Sequence, residues 1–167
     1  MNEHKREEFE RVFRSSYRSV LGTALVILHD RGRAEEVTQD AFLRLFERWG
    51  DAVFDNPQAW VRTVVVRDAV RRAKRESLVL VSAPAERSAP RDAVLDLDLW
   101  RAVADLPPQQ RAAVALFYLE DLPVAEVAGL MSVAPATVRQ HLFRARAHLA
   151  ELLGETVSEE VTGDVDR

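Results

Sequence analysis

Of the side chains that commonly do covalent or metal chemistry, this chain of 167 residues has no cysteine and only four histidines, His4, His29, His141 and His148. Without cysteine there is no disulfide, thiolate nucleophile or thiolate zinc site. His141 and His148 share a helical stretch, but no carboxylate accompanies them, so the histidines read as surface residues and no metal is expected. No nucleophile triad, paired carboxylates or phosphate-cradling glycine loop stands out, which argues against an enzyme and against a cofactor. The chemistry left is that of charge and of hydrogen-bond donors.

Charge is unevenly placed. The net charge of -4 suits a nucleic-acid ligand poorly, because affinity for DNA comes largely from neutralising phosphates. Yet Arg62, Arg67, Arg71, Arg72, Lys74 and Arg75 face a single acid, Asp68, within fourteen residues, and Ala134 to Ala150 holds three arginines and no acid. The excess acid lies elsewhere, at Asp96 and Asp98 and in the tail from Glu155. Two basic patches therefore sit on an acidic body. The second coincides with a helix-turn-helix pattern over Val124 to Leu142: small Ala128 where two helices must approach, a turn at Ser132, and an apolar seam of Val127, Val133, Val138 and Leu142. Its second helix would present Thr137, Arg139, Gln140, His141, Phe143, Arg144 and Arg146, several of which can donate to base edges and phosphates. A helical hairpin with a solvated basic face is the plainer alternative.

The elements that must position these residues are helices. Periodicity of three and four predominates, and the short run Val64 to Val66 sits inside such a pattern, so the fold class is all-α. A first helix is expected over 7–28, broken by Asp30 and Gly32; a second over 33–49, stopped by Gly50; and a third to about Glu76, with Asn56 as N-cap and Pro57 at the first helical position. Residues 77–95 lack a sustained period and read as a linker. A second helical group spans 96–154, interrupted at Pro107 and Pro108 and again at Leu122 and Pro123, with Gly154 as its stop. The acidic residues 155–167 read as a disordered tail. No apolar run approaches the roughly 18 residues of a membrane span, and the charged start carries no signal peptide, so a cytoplasmic protein without membrane insertion is expected.

With these segments in place, the chain resembles the extracytoplasmic-function group of bacterial sigma factors. AEEVTQDAFLRLFERW (Ala34 to Trp49) looks like that family's polymerase-binding helix, NPQAWVRTVVVRDAVRRAKR (Asn56 to Arg75) like its minus-ten promoter helix, and Leu106 to Leu149 like its minus-thirty-five domain. The departures are Ser132 for a turn glycine, Pro123 and Ala134 for capping serines or threonines, at about 1 kcal/mol each, and His141 for a frequent arginine. The resemblance implies two small domains, 1–76 and 96–154, joined by the linker. It further implies that Glu35, Glu36, Gln39, Asp40, Leu43 and Phe46 meet the coiled coil of the polymerase beta-prime subunit, with the beta subunit a further core partner. Asp51, Phe54, Asn56 and Trp60 would serve the flipped promoter base, Arg62, Arg67, Arg71, Arg72 and Arg75 the adjacent phosphates, and the helix-turn-helix the upstream element. Many relatives are restrained by an anti-sigma factor, which the sequence does not identify here.

Reach permits this. Nineteen flexible residues span about 25 Å root-mean-square and about 65 Å at full extension, against promoter elements roughly 50–70 Å apart at ~34 Å per DNA turn. A helix-turn-helix regulator that never joins polymerase explains the second basic patch but leaves Ala34 to Arg75 unused, and a protein-binding adaptor wastes both patches.

Overall fold

The computed structural model describes residues 3–49, 54–79 and 97–154. Gly50, Asp51, most of the linker and the acidic tail lie outside them. The elements are α1 (Glu3–Leu28), α2 (Arg31–Arg48), α3 (Pro57–Val79), α4 (Leu97–Asp105), α5 (Pro108–Val114), a π-helical turn (Ala115–Leu119), α6 (Val124–Met131) and α7 (Pro135–Leu153). There is no strand among the described residues, in agreement with the all-α expectation.

Local chemistry accounts for most boundaries. Asn56 accepts from the Ala59 amide at 2.9 Å and so caps α3 as its sequence predicts. Asp30 does the same for α2, accepting from Arg33 N at 2.9 Å. That corrects one expectation: Gly32 does not break the chain but lies in the first turn of α2, and the break falls at His29, whose φ is 52°. Two helices are longer than expected. α1 begins at Glu3, and α3 runs on to Val79, so residues 77–79 of the expected linker are helical. Pro123 and Ala134 start α6 and α7 without a side-chain cap, while Ser132 (φ 55°) and Gly154 (φ 70°) end them in the left-handed region.

α1, α2 and α3 close around Val20, Ala24, Ile27, Val37, Ala41, Leu45, Val61, Val65 and Ala69. The later helices close around Leu116, Phe117, Val124, Val127, Ala128, Val138 and Leu142. These cores are not insulated from each other. Trp100 of α4 and Ala112 of α5 are buried in the first, and Val66 of α3 in the second. The valine run explains this: Val61, Val65 and Ala69 recur every fourth residue toward α1 and α2, while Val66 and Val70 form a second apolar stripe toward α5 and α6. A helix apolar on two faces is one buried between two layers. Full burial of one valine contributes about 1.5–3 kcal/mol.

The histidine expectation needs a second correction. His29 is not a surface residue but 3% exposed; its ring stacks on Trp100 at 4.1 Å, and Nε2 lies 3.2 Å from the Trp100 carbonyl oxygen. The stop of α1 thus turns an imidazole into the seam between the two helical groups.

Candidate nucleic-acid and protein interfaces

In the helix-turn-helix the apolar seam forms as the spacing predicts. Val127, Ala128, Val138 and Leu142 are buried together, Val133 packs against them, and the Val133 amide bonds back to the Ala128 carbonyl at 3.0 Å across the turn. Burying that stripe leaves the opposite face of α7 outward, and Arg139, Gln140, Phe143 and Arg144 are exposed along it. Phe143 is 61% exposed, an unusual position for an aromatic ring that serves only packing. Thr137, His141 and Arg146 are half-buried. Burial holds the His141 imidazole below its ordinary range, with the positive charges of Arg144 and of Lys74 from α3 acting in the same direction. The structure therefore separates His141 from the outward-facing donors with which the sequence groups it.

The basic stretch of α3 divides by helical angle. Arg67, Arg71 and Lys74, spaced four and three apart, line a cleft of about 300 Å³ together with Val66, Val70, Gln109, Met131 and Ser132, and Arg67 donates to the Ser132 hydroxyl. Arg72 turns the other way, toward α2, and Arg75 is exposed. Arg62 is half-buried and pairs with Glu120 at 3.3 Å. Arg71 has Asp68 at 3.5 Å, and Asp68 also receives Arg44 at 2.9 Å. Beside the amino-terminal end of this helix, Phe54 stacks on Trp49 at 6.0 Å and meets Trp60 edge-on at 5.6 Å, with the Arg48 guanidinium 5.7 Å above the Trp60 ring. Trp49, Phe54 and Trp60 are each half-buried and together form an aromatic wall.

On α2, Glu36, Gln39, Asp40, Leu43 and Phe46 fall on one continuous outward face, with Leu43 56% and Phe46 44% exposed. Two large apolar side chains beside two carboxylates form a surface with both an apolar anchor and a charge signature. Glu35 is turned aside into an ion pair with Arg31 at 2.9 Å. The acids of the face are themselves tethered, since Arg72 reaches Glu36 at 2.8 Å and Asp40 at 3.4 Å. α2 and α3 are also tied by the Arg33–Glu76 pair.

One cluster has no counterpart in the sequence reading. Glu120 follows the π-helical turn and precedes Asp121, whose φ is 52°. Its side chain is 6% exposed, and it accepts from the hydroxyls of Ser19 and Thr23 on α1 at 2.5 and 2.7 Å as well as from Arg62 of α3. The available signal was two hydroxyls one helical turn apart, Ser19 and Thr23, on an otherwise apolar stretch of α1. Nothing local indicates their partner. Among the described residues no group of three or more histidines, aspartates and glutamates is arranged to hold a metal, and no helix is long and apolar enough to cross a membrane.

The chain matches the model of Sigma-70 region 2 over residues 12–78 and that of Sigma-70, region 4 over residues 96–149. It is 32% identical over 156 residues to the ECF RNA polymerase sigma factor SigM of Mycobacterium tuberculosis, covering 89% of this chain and 79% of that one. It is likewise 32% identical to the ECF RNA polymerase sigma factor SigE of Mycolicibacterium smegmatis, covering 92% of this chain and 62% of that one. The sigma factor RpoE of Bartonella quintana, solved in complex with the anti-sigma factor NepR, shares the fold at a TM-score of 0.72 and 22% identity, over 89% of this chain and 98% of that one. Mycobacterium tuberculosis SigJ superposes at a TM-score of 0.62 with 25% identity, over 86% of this chain and 53% of that one.

Proposed function

The chain belongs to the extracytoplasmic-function RNA polymerase sigma factors and directs transcription initiation; we propose that it does so through three faces with separate tasks. The outward face of α2, Glu36, Gln39, Asp40, Leu43 and Phe46 with Glu35 beside it, docks on the beta-prime coiled coil of core polymerase. Its apolar pair supplies the anchor and its acids supply the choice of a basic partner. The beta subunit is a second core contact. The aromatic wall of Trp49, Phe54 and Trp60, with Asp51 and Asn56 at its loop, holds a promoter base pulled from the stack, because rings and a neighbouring cation suit a single-stranded base. Arg67, Arg71 and Arg75, and Arg62 and Arg72 once released from their carboxylates, track the neighbouring phosphates. α7 enters the major groove at the upstream element, with Arg139 and Gln140 near base edges and Arg144 and Arg146 toward the backbone. The chain performs no catalytic step of its own, uses no cofactor and works in the cytoplasm, where the polymerase is. An anti-sigma factor acting on it would have to cover the α2 face or hold the helical groups together.

The observation that carries this reading is the outward row Arg139, Gln140, Phe143 and Arg144 over a fully buried seam, in the same chain as an acidic and apolar face on α2. The test is a binding selection on randomised upstream elements at fixed salt. Arg139→Ala is expected to cost about 1–3 kcal/mol on the preferred element and to relax base choice at one or two positions. Arg144→Ala is expected to weaken all sequences alike and to lower the salt slope by about one phosphate contact. If both variants keep the wild-type consensus and salt slope, α7 does not read the promoter.

A further inference from the structure

In this structure the chain is closed: α4 and α5 pack on α1, and α5 and α6 pack on α3. Arg67 of the promoter-proximal helix touches Ser132, the turn of the helix-turn-helix. The two reading elements thus lie side by side, whereas promoter elements one and a half to two turns apart are separated by roughly 50–70 Å. One closed molecule cannot serve both, so initiation requires the helical groups to part.

A polar contact with three partners crosses that seam at Glu120. A carboxylate 6% exposed receives two hydroxyls from α1 and a guanidinium from α3, all from the other helical group. Its placement is built into the backbone. The π-helical turn closes with the Glu120 amide bonded to the Ala115 carbonyl at 3.1 Å, five residues back, and the left-handed Asp121 then turns the chain away. An α-helical continuation would rotate the side chain off α1. Arg62, the cation of this site, belongs to the basic stretch of α3, and its side chain is only 26% exposed while paired with Glu120, so close contact with a DNA phosphate requires it to swing away from the carboxylate.

We propose that Ser19, Thr23 and Arg62 form a receptor for the Glu120 carboxylate, a latch that keeps the chain closed until a promoter phosphate takes Arg62. The part concerning DNA rests on the assignment of α3 to promoter phosphates; the latch itself does not. Glu120 is then a competitor for the DNA site carried in the chain, and the free protein is restrained from binding both elements by its own side chain.

Because the chain has no native cysteine, Glu7→Cys and Glu151→Cys on the exposed surfaces of α1 and α7 accept a dye pair for single-molecule energy transfer on the full chain. In the free protein, Glu120→Gln is expected to raise the ratio of open to closed molecules on the order of tenfold, the size of a charge-assisted hydrogen bond to a buried group. Ser19→Ala, an exposed helical site where alanine is well tolerated, gives a smaller rise in the same direction, and Glu10→Gln, an equal loss of charge elsewhere on the surface, gives none. A duplex carrying both elements is expected to open the wild type, and to open Glu120→Gln at a concentration on the order of tenfold lower. Far-ultraviolet circular dichroism confirms that the helices persist, and if Glu120→Gln loses helicity, Ser19→Ala decides the latch. An open fraction unchanged in the folded variants overturns the latch. A latch that weakens as expected while duplex leaves every form closed overturns the release by DNA and, with it, the assignment of Arg62, but not the latch.

Discussion

The tether between Arg72 and the α2 acids makes the polymerase-binding assignment separable from a stability effect. Glu36→Gln with Asp40→Asn breaks both ion pairs by removing the acids, and Arg72→Gln breaks the same two pairs by removing the cation. The side chains of Glu36 and Asp40 are 60% and 43% exposed, so each pair contributes only about 0.2–1 kcal/mol after solvent screening. Either variant should therefore lose about 0.4–2 kcal/mol and melt roughly 1–8 °C lower, at about 2–4 °C per kcal/mol for a closed chain of this size. Their effects on core polymerase should diverge. The acid variant removes charges that the partner would desolvate, an effect of about 2–5 kcal/mol or roughly 30-fold and upward in affinity. Arg72→Gln leaves the acids in place and untethered, so core binding is expected to hold or tighten. Fluorescence anisotropy of labelled chain titrated with core enzyme gives both affinities, and a thermal melt gives both stabilities. If the two variants weaken core binding alike, the loss is structural and the α2 face is not the docking surface; if neither weakens it, the contact lies elsewhere.

Two further outcomes follow from backbone and charge. Ser132 holds a left-handed conformation that costs a non-glycine residue about 1–2 kcal/mol, and glycine gives back about 0.5–1 kcal/mol of that gain as chain entropy, so Ser132→Gly should leave the chain as stable or up to about 1.5 kcal/mol more stable; a melting temperature several degrees lower would show that the Arg67–Ser132 contact matters more than the strain. His141 is held below its ordinary pKa of 6.5 by burial, then by Arg144 and Lys74. The unfolded chain therefore takes up the proton first, and this contribution to stability, complete above about pH 6.5, is lost as pH falls toward the folded value. In denaturant titrations His141→Gln should lose less stability than the wild type between pH 7 and pH 5.5, and equal slopes would remove the charge of His141 from the seam.

What was legible in the sequence was whatever is encoded within a few residues. The Asn56–Pro57 start of α3 and the seam from Val127 to Leu142 are local signals, a cap and a period, and both appear as read. The outward face of α2 was legible for the same reason, as the complement of the Val37, Ala41 and Leu45 stripe. The unread features all depend on partners far along the chain. His29 looks like a loop histidine until Trp100 covers it, Arg62 looks like a free phosphate ligand until Glu120 takes it, and Val66 looks like one more valine until α5 and α6 arrive. The π-helical turn belongs with these. An i→i−5 bond is weak in isolation and persists here because Leu116 and Phe117 are buried on one side while Glu120 is bound on the other.

The most direct measurement is reconstituted initiation. Core RNA polymerase alone and core polymerase with this chain are each given a pool of linear templates drawn from random sequence, and transcript 5′ ends are mapped. The three-face assignment expects discrete starts only when the chain is present, each preceded at fixed spacing by two elements, with Arg139→Ala altering the upstream one and Arg71→Ala weakening use of the downstream one without changing the upstream sequence. Starts that match those of core enzyme alone, or a single element in place of two, would contradict it.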